Sequence, residues 1–410
     1  VGMGKQVDRP GLVIGGDALR GIGMMCVMLF HAAAATAANV SQEAAMNPVD
    51  AFGPVIGHVI FRLDPVVWCF FALSGYLVGG SFVRAWVEGK PFPKFGKYAG
   101  RRLRRILPAF WVSVAVLYLI YGGFGASKQE LAFVWFFAQT YDRSGFEAVF
   151  VQGWTVGAEM LFYFGLPLIA FAISRLGLVR GTREGRLRFL LVVLAVITVA
   201  SLAVRINSEP GGEVGRSLFA VLWCFTPGLA MAALEKDLRA KLVGTRLGKQ
   251  VALALSAIAV GSWVSYYVTF DHSGTFWGEL QSFLIAASVL PALMVSQWAW
   301  GALPAVIDNP VNHALGKWSY GFYLVHVAIV RELALNLPDS LGATEALFYV
   351  AGITAVSGLS LAALSWWLLE EPFIERRLPR MPWQAVREAA EPPQPPAEEP
   401  KAAAASAAAR

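Results

Sequence analysis

Charge is what this 410-residue sequence has least of: Asp, Glu, Lys and Arg together make up 15% of it, against 56% apolar residues. With a mean hydropathy of +0.54, that scarcity excludes a soluble domain of this size and leaves lipid as the solvent. Cysteine is nearly absent as well. Cys26, Cys69 and Cys224 lie inside apolar stretches without disulfide or metal-ligand spacing, so they read as core residues and no metal is expected. Val1 to Gly16 lacks the apolar run and small-residue cleavage site of a signal peptide, so the first apolar segment is expected to remain as a helix. Long charged blocks are missing too, and no nucleic acid is expected as a partner.

What the sequence does contain is a series of long apolar runs. Hydrocarbon cannot satisfy backbone polar groups, so each run must be helical, with about 20 residues per crossing. Spans are predicted near 16–38, 62–83, 105–121, 153–175, 188–205, 216–234, 250–270, 276–298, 314–336 and 346–369. The expected fold is therefore all-α and polytopic, with about ten transmembrane helices. The aromatic run Leu131 to Ala138 is too short to span and is expected to lie in the interface or re-enter.

Orientation follows from the basic residues, because short loops rich in Lys and Arg stay cytoplasmic. Such residues follow the second, fourth and sixth spans, as at Arg84, Arg175 and Lys236, whereas the alternate loops near 39–61, 206–215, 271–275 and 337–345 contain no Lys or Arg. Both termini are thus expected inside, giving a cytoplasmic segment 1–15, a membrane domain 16–375 and a low-complexity tail 376–410.

Ionisable groups within spans are costly and mark candidate functional positions. In the first span, Arg20 and His31 are separated by eleven residues. That is about three turns, which places both on one face about 16 Å apart, with Asp17 nearby. His31 lies deep, and reads either as a hydrogen-bonded packing residue or as a functional one. Glu159 and Tyr163 share a face of the fourth span, and Glu159 reads either as a structural carboxylate or as a partner for His31. Tyr320, Tyr323 and His326 form a polar stripe on the ninth span, suited equally to interhelical bonding and to substrate contact. Ser74 and Gly75 read first as a close helix-packing site. The run RRLRRILP, Arg101 to Pro108, is a positive-inside anchor touching membrane lipid or a site for a phosphorylated cytoplasmic ligand, since guanidinium forks match phosphate oxygens.

In this order these segments resemble the acyltransferase-3 family of bacterial membrane acyltransferases. The matching pieces are Asp17, Leu19 and Arg20 with His31; FFALSG at Phe70 to Gly75; RRLRRILP; Trp154, Glu159, Phe162 and Tyr163; YGFYLVH ending at His326; and Glu371 with Pro372. Two features depart from the family pattern. Trp68 and Cys69 stand where an acid often precedes the FF motif, with Asp64 further back, and nothing of domain size follows Glu371, so the membrane module alone is expected.

The resemblance implies an O-acyltransferase of the bacterial inner membrane that moves an acyl group, most commonly acetyl, from cytoplasmic acyl-CoA to a hydroxyl of an envelope carbohydrate or glycolipid. It implies donor contacts from Arg102 and Arg105, with Arg101 and Arg104 as near-equivalents, and from Arg20 and Ser74. His31 is implied as general base, with Glu159 orienting it and Arg20 assisting, or as a transiently acylated group. Asp17, Trp154, Tyr163, Tyr320, Tyr323 and His326 are candidates for substrate contact, although such aromatics also form ordinary interface belts. A transporter or flippase uses similar buried charges; dependence on coenzyme A separates the two.

Overall fold

The computed structural model describes residues 15–40, 49–120, 128–138, 150–176, 181–209, 211–269, 275–303, 305–338 and 340–375. Residues 1–14 and the tail 376–410 lie outside the described residues, and so do the boundaries expected there. Among the described residues there is no strand. The helices are α1 (Gly16–Val40), α2 (Val49–Phe61), α3 (Val66–Ser74), a π-helical turn π1 (Gly75–Gly79), α4 (Gly80–Val87), α5 (Phe95–Ile120), α6 (Lys128–Trp135) and α7 (Gly153–Arg175). They continue as α8 (Arg183–Ile206), α9 (Leu218–Leu242), α10 (Arg246–Thr269), α11 (Phe276–Trp300), α12 (Pro310–Leu335), α13 (Ala343–Ser365), a second π turn π2 (Trp366–Glu370) and α14 (Glu371–Glu375).

Nine helical segments among the described residues are long and apolar enough to cross a membrane. The tenth expected span is α12, which at 26 residues is long enough but carries Asn312, Lys317, Ser319 and Tyr320 in its inner half. The helix packs against α1 and α13, with Asn312 buried, Ser319 and Tyr320 half-buried and Lys317 exposed. The protein is an all-α, multi-pass membrane protein.

Two boundaries differ from expectation, and one short run keeps to it. The loop predicted at 39–61 contains α2, broken at Gly53 (φ 75°) ahead of Pro54. The span predicted from 105 begins at Phe95, so the arginine run is helical and its members point in fixed directions. The Leu131 to Ala138 run contributes to α6, whose 8 residues extend about 12 Å at the helical rise and do not cross. Its end is set by Phe137 at φ 63°.

Two packed cores hold the bundle. One joins α3, π1, α4, α5, α7, α9 and α11 through Phe71, Tyr76, Phe110 and Trp223; the other joins α1, α12 and α13 through Met28, Phe322 and Leu347. Small residues set the closest crossing. Gly228 of α9 lies against the Ala72 to Tyr76 backbone, where an added Cβ stands 2.6 Å from the Tyr76 nitrogen, and Gly75 faces Phe225 in the same crossing. The expected close packing at Ser74 and Gly75 is therefore made with α9.

Charged groups pair at both ends. At one end Arg183 donates to Glu88 (2.7 Å) and Asp237 (3.0 Å), and Arg84 to Glu235 (3.3 Å). At the opposite end Arg205 and Glu279 form a pair at 2.9 Å in which both side chains are buried, with Arg205 lying over the Trp68 ring.

Candidate active site

A cavity of about 400 Å³ opens between α1, α3, π1, α5, α7 and α12. Arg20, Arg102 and Arg105 line it, and these lie in the N-terminal halves of their helices; Thr155 and Tyr323 line its other part. Arg102 and Arg105 are three residues apart on α5 and so share a face. Neither makes an ion pair among the described residues. Arg20 does, at 3.2 Å to Asp17, whose second oxygen lies 3.2 Å from His313. Guanidinium groups that line a cavity and make no ion pair among the described residues can donate to an anion; Arg105 also lies within Coulombic range of Glu159 and Glu370.

Halfway down, Ser74 ends α3 where π1 begins. Its hydroxyl donates to Glu159 at 2.5 Å and lies 3.4 Å from the Tyr163 hydroxyl. A serine has one proton, and this one is given to the carboxylate, so Tyr163 is the donor in the second contact. Arg20 and Arg105 are within Coulombic range of Glu159. This carboxylate therefore sits among cations, which offsets the cost of keeping it inside the bundle.

The deeper wall is built from committed hydroxyls. Tyr320 donates to the Ile106 carbonyl (3.1 Å), and Tyr323 reaches Thr155 (2.8 Å) and the Gln152 carbonyl (3.3 Å). Gln152 in turn donates to the Leu324 carbonyl at 3.0 Å. Past Tyr323 stand two imidazoles, His31 of α1 and His326 of α12, with ring centres 5.3 Å apart. Among the described residues no group of three or more metal-type side chains occurs.

The family model described as "Acyltransferase domain", of the acyltransferase-3 family, matches residues 14–364. The chain belongs to the acyltransferase-3 family. This acyltransferase is 27% identical over 357 residues to Nodulation protein 10 of Rhizobium leguminosarum bv. viciae, covering 79% of this chain and 86% of that protein. It is 21% identical over 364 residues to a protein of Staphylococcus aureus (strain MRSA252) provisionally named an O-acetyltransferase, and 22% identical over 363 residues to a like-named protein of strain COL. Those matches cover 81% and 80% of this chain but only 57% of either staphylococcal protein. No solved structure matches the chain.

Of the residues expected at the acyltransferase site, the structure brings Arg20, Ser74, Arg102, Arg105, Glu159, Tyr163, Tyr320 and Tyr323 to one cavity. It separates others. Arg101 is exposed, and neither it nor Arg104 lines the cavity; Arg104 projects away from the face of Arg102 and Arg105, whereas Arg101 shares a side with Arg105 but stands one turn nearer the start of α5. Trp154 packs against Trp68 and Phe71 instead. His31 and Glu159 share no hydrogen bond among the described residues; the carboxylate is bonded to Ser74, and the imidazole faces His326.

Close to the cavity, one buried carboxylate escapes sequence reasoning. Glu370, rather than the neighbouring Glu371, is fully buried; it accepts from Ser365 at 3.3 Å and lies within Coulombic range of Arg105. The π2 turn inserts an extra residue per turn and rotates the face that points inward. A regular helical projection carries no sign of it.

Proposed function

We propose that the protein is an O-acyltransferase of a bacterial inner membrane, moving an acyl group, acetyl in the simplest case, from cytoplasmic acyl-CoA to a hydroxyl of an envelope carbohydrate or glycolipid. The observation that carries this reading is the cavity itself, with Arg102 and Arg105, which make no ion pair among the described residues, on one side and a lining beyond them in which, Arg20 apart, Glu159 is the charged side chain. A donor whose phosphates engage those guanidinium groups extends its uncharged pantetheine arm past Arg20 toward Ser74 and Glu159. Family membership and the provisionally named staphylococcal relatives support acyl transfer to oxygen.

In this reading His31 removes the proton of the acceptor hydroxyl as its oxygen attacks the thioester carbonyl. The new C–O bond forms, the C–S bond breaks, and the departing thiolate takes up the proton. Glu159 holds Ser74, and through it Tyr163, with their hydroxyls set at the side of the acyl group. Tyr320 and Tyr323 contribute mainly shape, since their hydroxyls are engaged by Ile106, Thr155 and Gln152.

The test is release of coenzyme A thiol from acetyl-CoA by the purified protein, wild type beside His31→Ala, with and without an envelope glycan extract. Release that requires the extract and is lost in the variant is the expected result. Release unchanged by the substitution removes His31 from the chemistry, and failure to bind or consume acetyl-CoA removes the donor.

A further inference from the structure

His326 is held more rigidly than substrate contact requires. Its ring stacks on Phe322 (centres 5.7 Å apart, planes 9° apart) and lies 5.5 Å from the Tyr323 ring. It is 1% exposed, and Nδ1 is 2.9 Å from the Tyr323 carbonyl oxygen. A carbonyl can only accept, so Nδ1 carries the hydrogen and the neutral ring has a bare lone pair on Nε2. That Nε2 is buried and has no hydrogen-bond partner among the described residues. The ionisable side chain beside it is His31.

From this geometry we infer that His326 is the positioning residue for His31. Its Nε2 accepts the N–H of His31, and so fixes which nitrogen of His31 keeps the lone pair that meets the acceptor hydroxyl. Rings whose centres are 5.3 Å apart need only small side-chain rotations to close an N–H···N bond of about 3 Å. Catalytic histidines commonly take this orientation from a carboxylate. Here the nearby carboxylate, Glu159, is engaged by Ser74, and a neutral acceptor does the same work without placing a charge in the membrane interior.

This inference rests on the proposed role of His31, and two variants with a spectrum test it separately from that role. In His326→Asn the amide nitrogen takes the place of Nδ1 and keeps the bond to Tyr323, but nothing accepts at the Nε2 position. In His326→Gln the amide oxygen reaches the Nε2 position. With acyl-CoA and glycan extract, His326→Asn is expected to lower kcat about 10²-fold with KM for the donor unchanged, and His326→Gln to recover most of that loss, in line with the cost of a mis-set histidine tautomer. Equal activity of the two variants, or a better Asn variant, overturns the inference. Independently of turnover, ¹⁵N spectra of imidazole-labelled protein, assigned with His326→Gln, should show an unprotonated Nε2 on His326 whose resonance moves in His31→Ala. A protonated Nε2, or no movement, overturns it even in a preparation that consumes no acetyl-CoA.

Discussion

Replacing Gly228 by alanine should disable the cavity without touching any residue that lines it. The added Cβ stands 2.6 Å from the Tyr76 nitrogen and nearer still to the Ala72 carbonyl oxygen, where ordinary contact begins at 3.4 Å. Backbone atoms cannot rotate aside, so α9 and the α3–π1 junction must part by about 1 Å, at a typical overpacking cost of about 1–3 kcal/mol. Ser74 lies between Ala72 and Tyr76 and travels with them. Its 2.5 Å bond to Glu159 then lengthens past the usual O–H···O limit of about 3.0 Å. A shift of about 1 Å at a reacting site lowers turnover by about 10²-fold. The assay is thiol release at saturating acetyl-CoA together with Tm in the same detergent. Gly261→Ala on α10 serves as the comparison, because a Cβ there meets nothing within 4 Å and should stabilise the helix by about 0.5–1 kcal/mol. Identical Tm and turnover for the two variants refute the argument.

Arg102→Ala and Arg105→Ala should each raise KM for acetyl-CoA roughly 10-fold or more, with partial recovery by Lys and a smaller effect on a dephosphorylated donor, as loss of a charge-assisted phosphate contact predicts; Arg101→Ala should leave KM unchanged. Arg205→Ala breaks the buried pair with Glu279 and should cost about 3–5 kcal/mol, whereas an Arg205→Met, Glu279→Leu double variant should recover much of that, both read from denaturation midpoints. His313, in the first turn of α12 and one residue before the expected span, has its pKa raised by its hydrogen bond to Asp17, with Asp308 adding to the effect. Its contribution to stability is therefore complete below the ordinary histidine pKa and fades as pH rises through the folded-state value. The Tm difference between wild type and His313→Ala should shrink from pH 5.5 to pH 8.5, by a small amount because the group is half exposed; a difference that grows with pH contradicts the assignment.

Much of this architecture is written in hydropathy and charge. Runs such as that around Val192 to Val199 declare a lipid-facing helix, and the arginines after alternate spans declare its direction. Arg102 and Arg105 were legible as part of a basic cluster, yet which of its members line the cavity depended on α5 starting at Phe95, before any apolar run begins. Pairings between distant helices left no local mark. Glu159 was the plausible mate for His31 on chemistry alone, but the bundle brings α3 to α7 and α12 to α1, so each group has a different neighbour. Glu370 was hidden by the π2 turn, because a helical period assumes the regular rise that the turn interrupts.

The uneven placement of charge along the cavity also bears on direction. On the proposed reading, the anionic part of the donor is retained at the guanidinium groups, and the only fragment handed onward is an uncharged acyl group. The membrane potential acts on a translocated species in proportion to its charge, about 2.3 kcal/mol per elementary charge per 100 mV, so it performs no work on this one. Passage of the acyl group is then driven by the thioester alone. The rate in sealed vesicles should be the same whether the membrane is polarised or not.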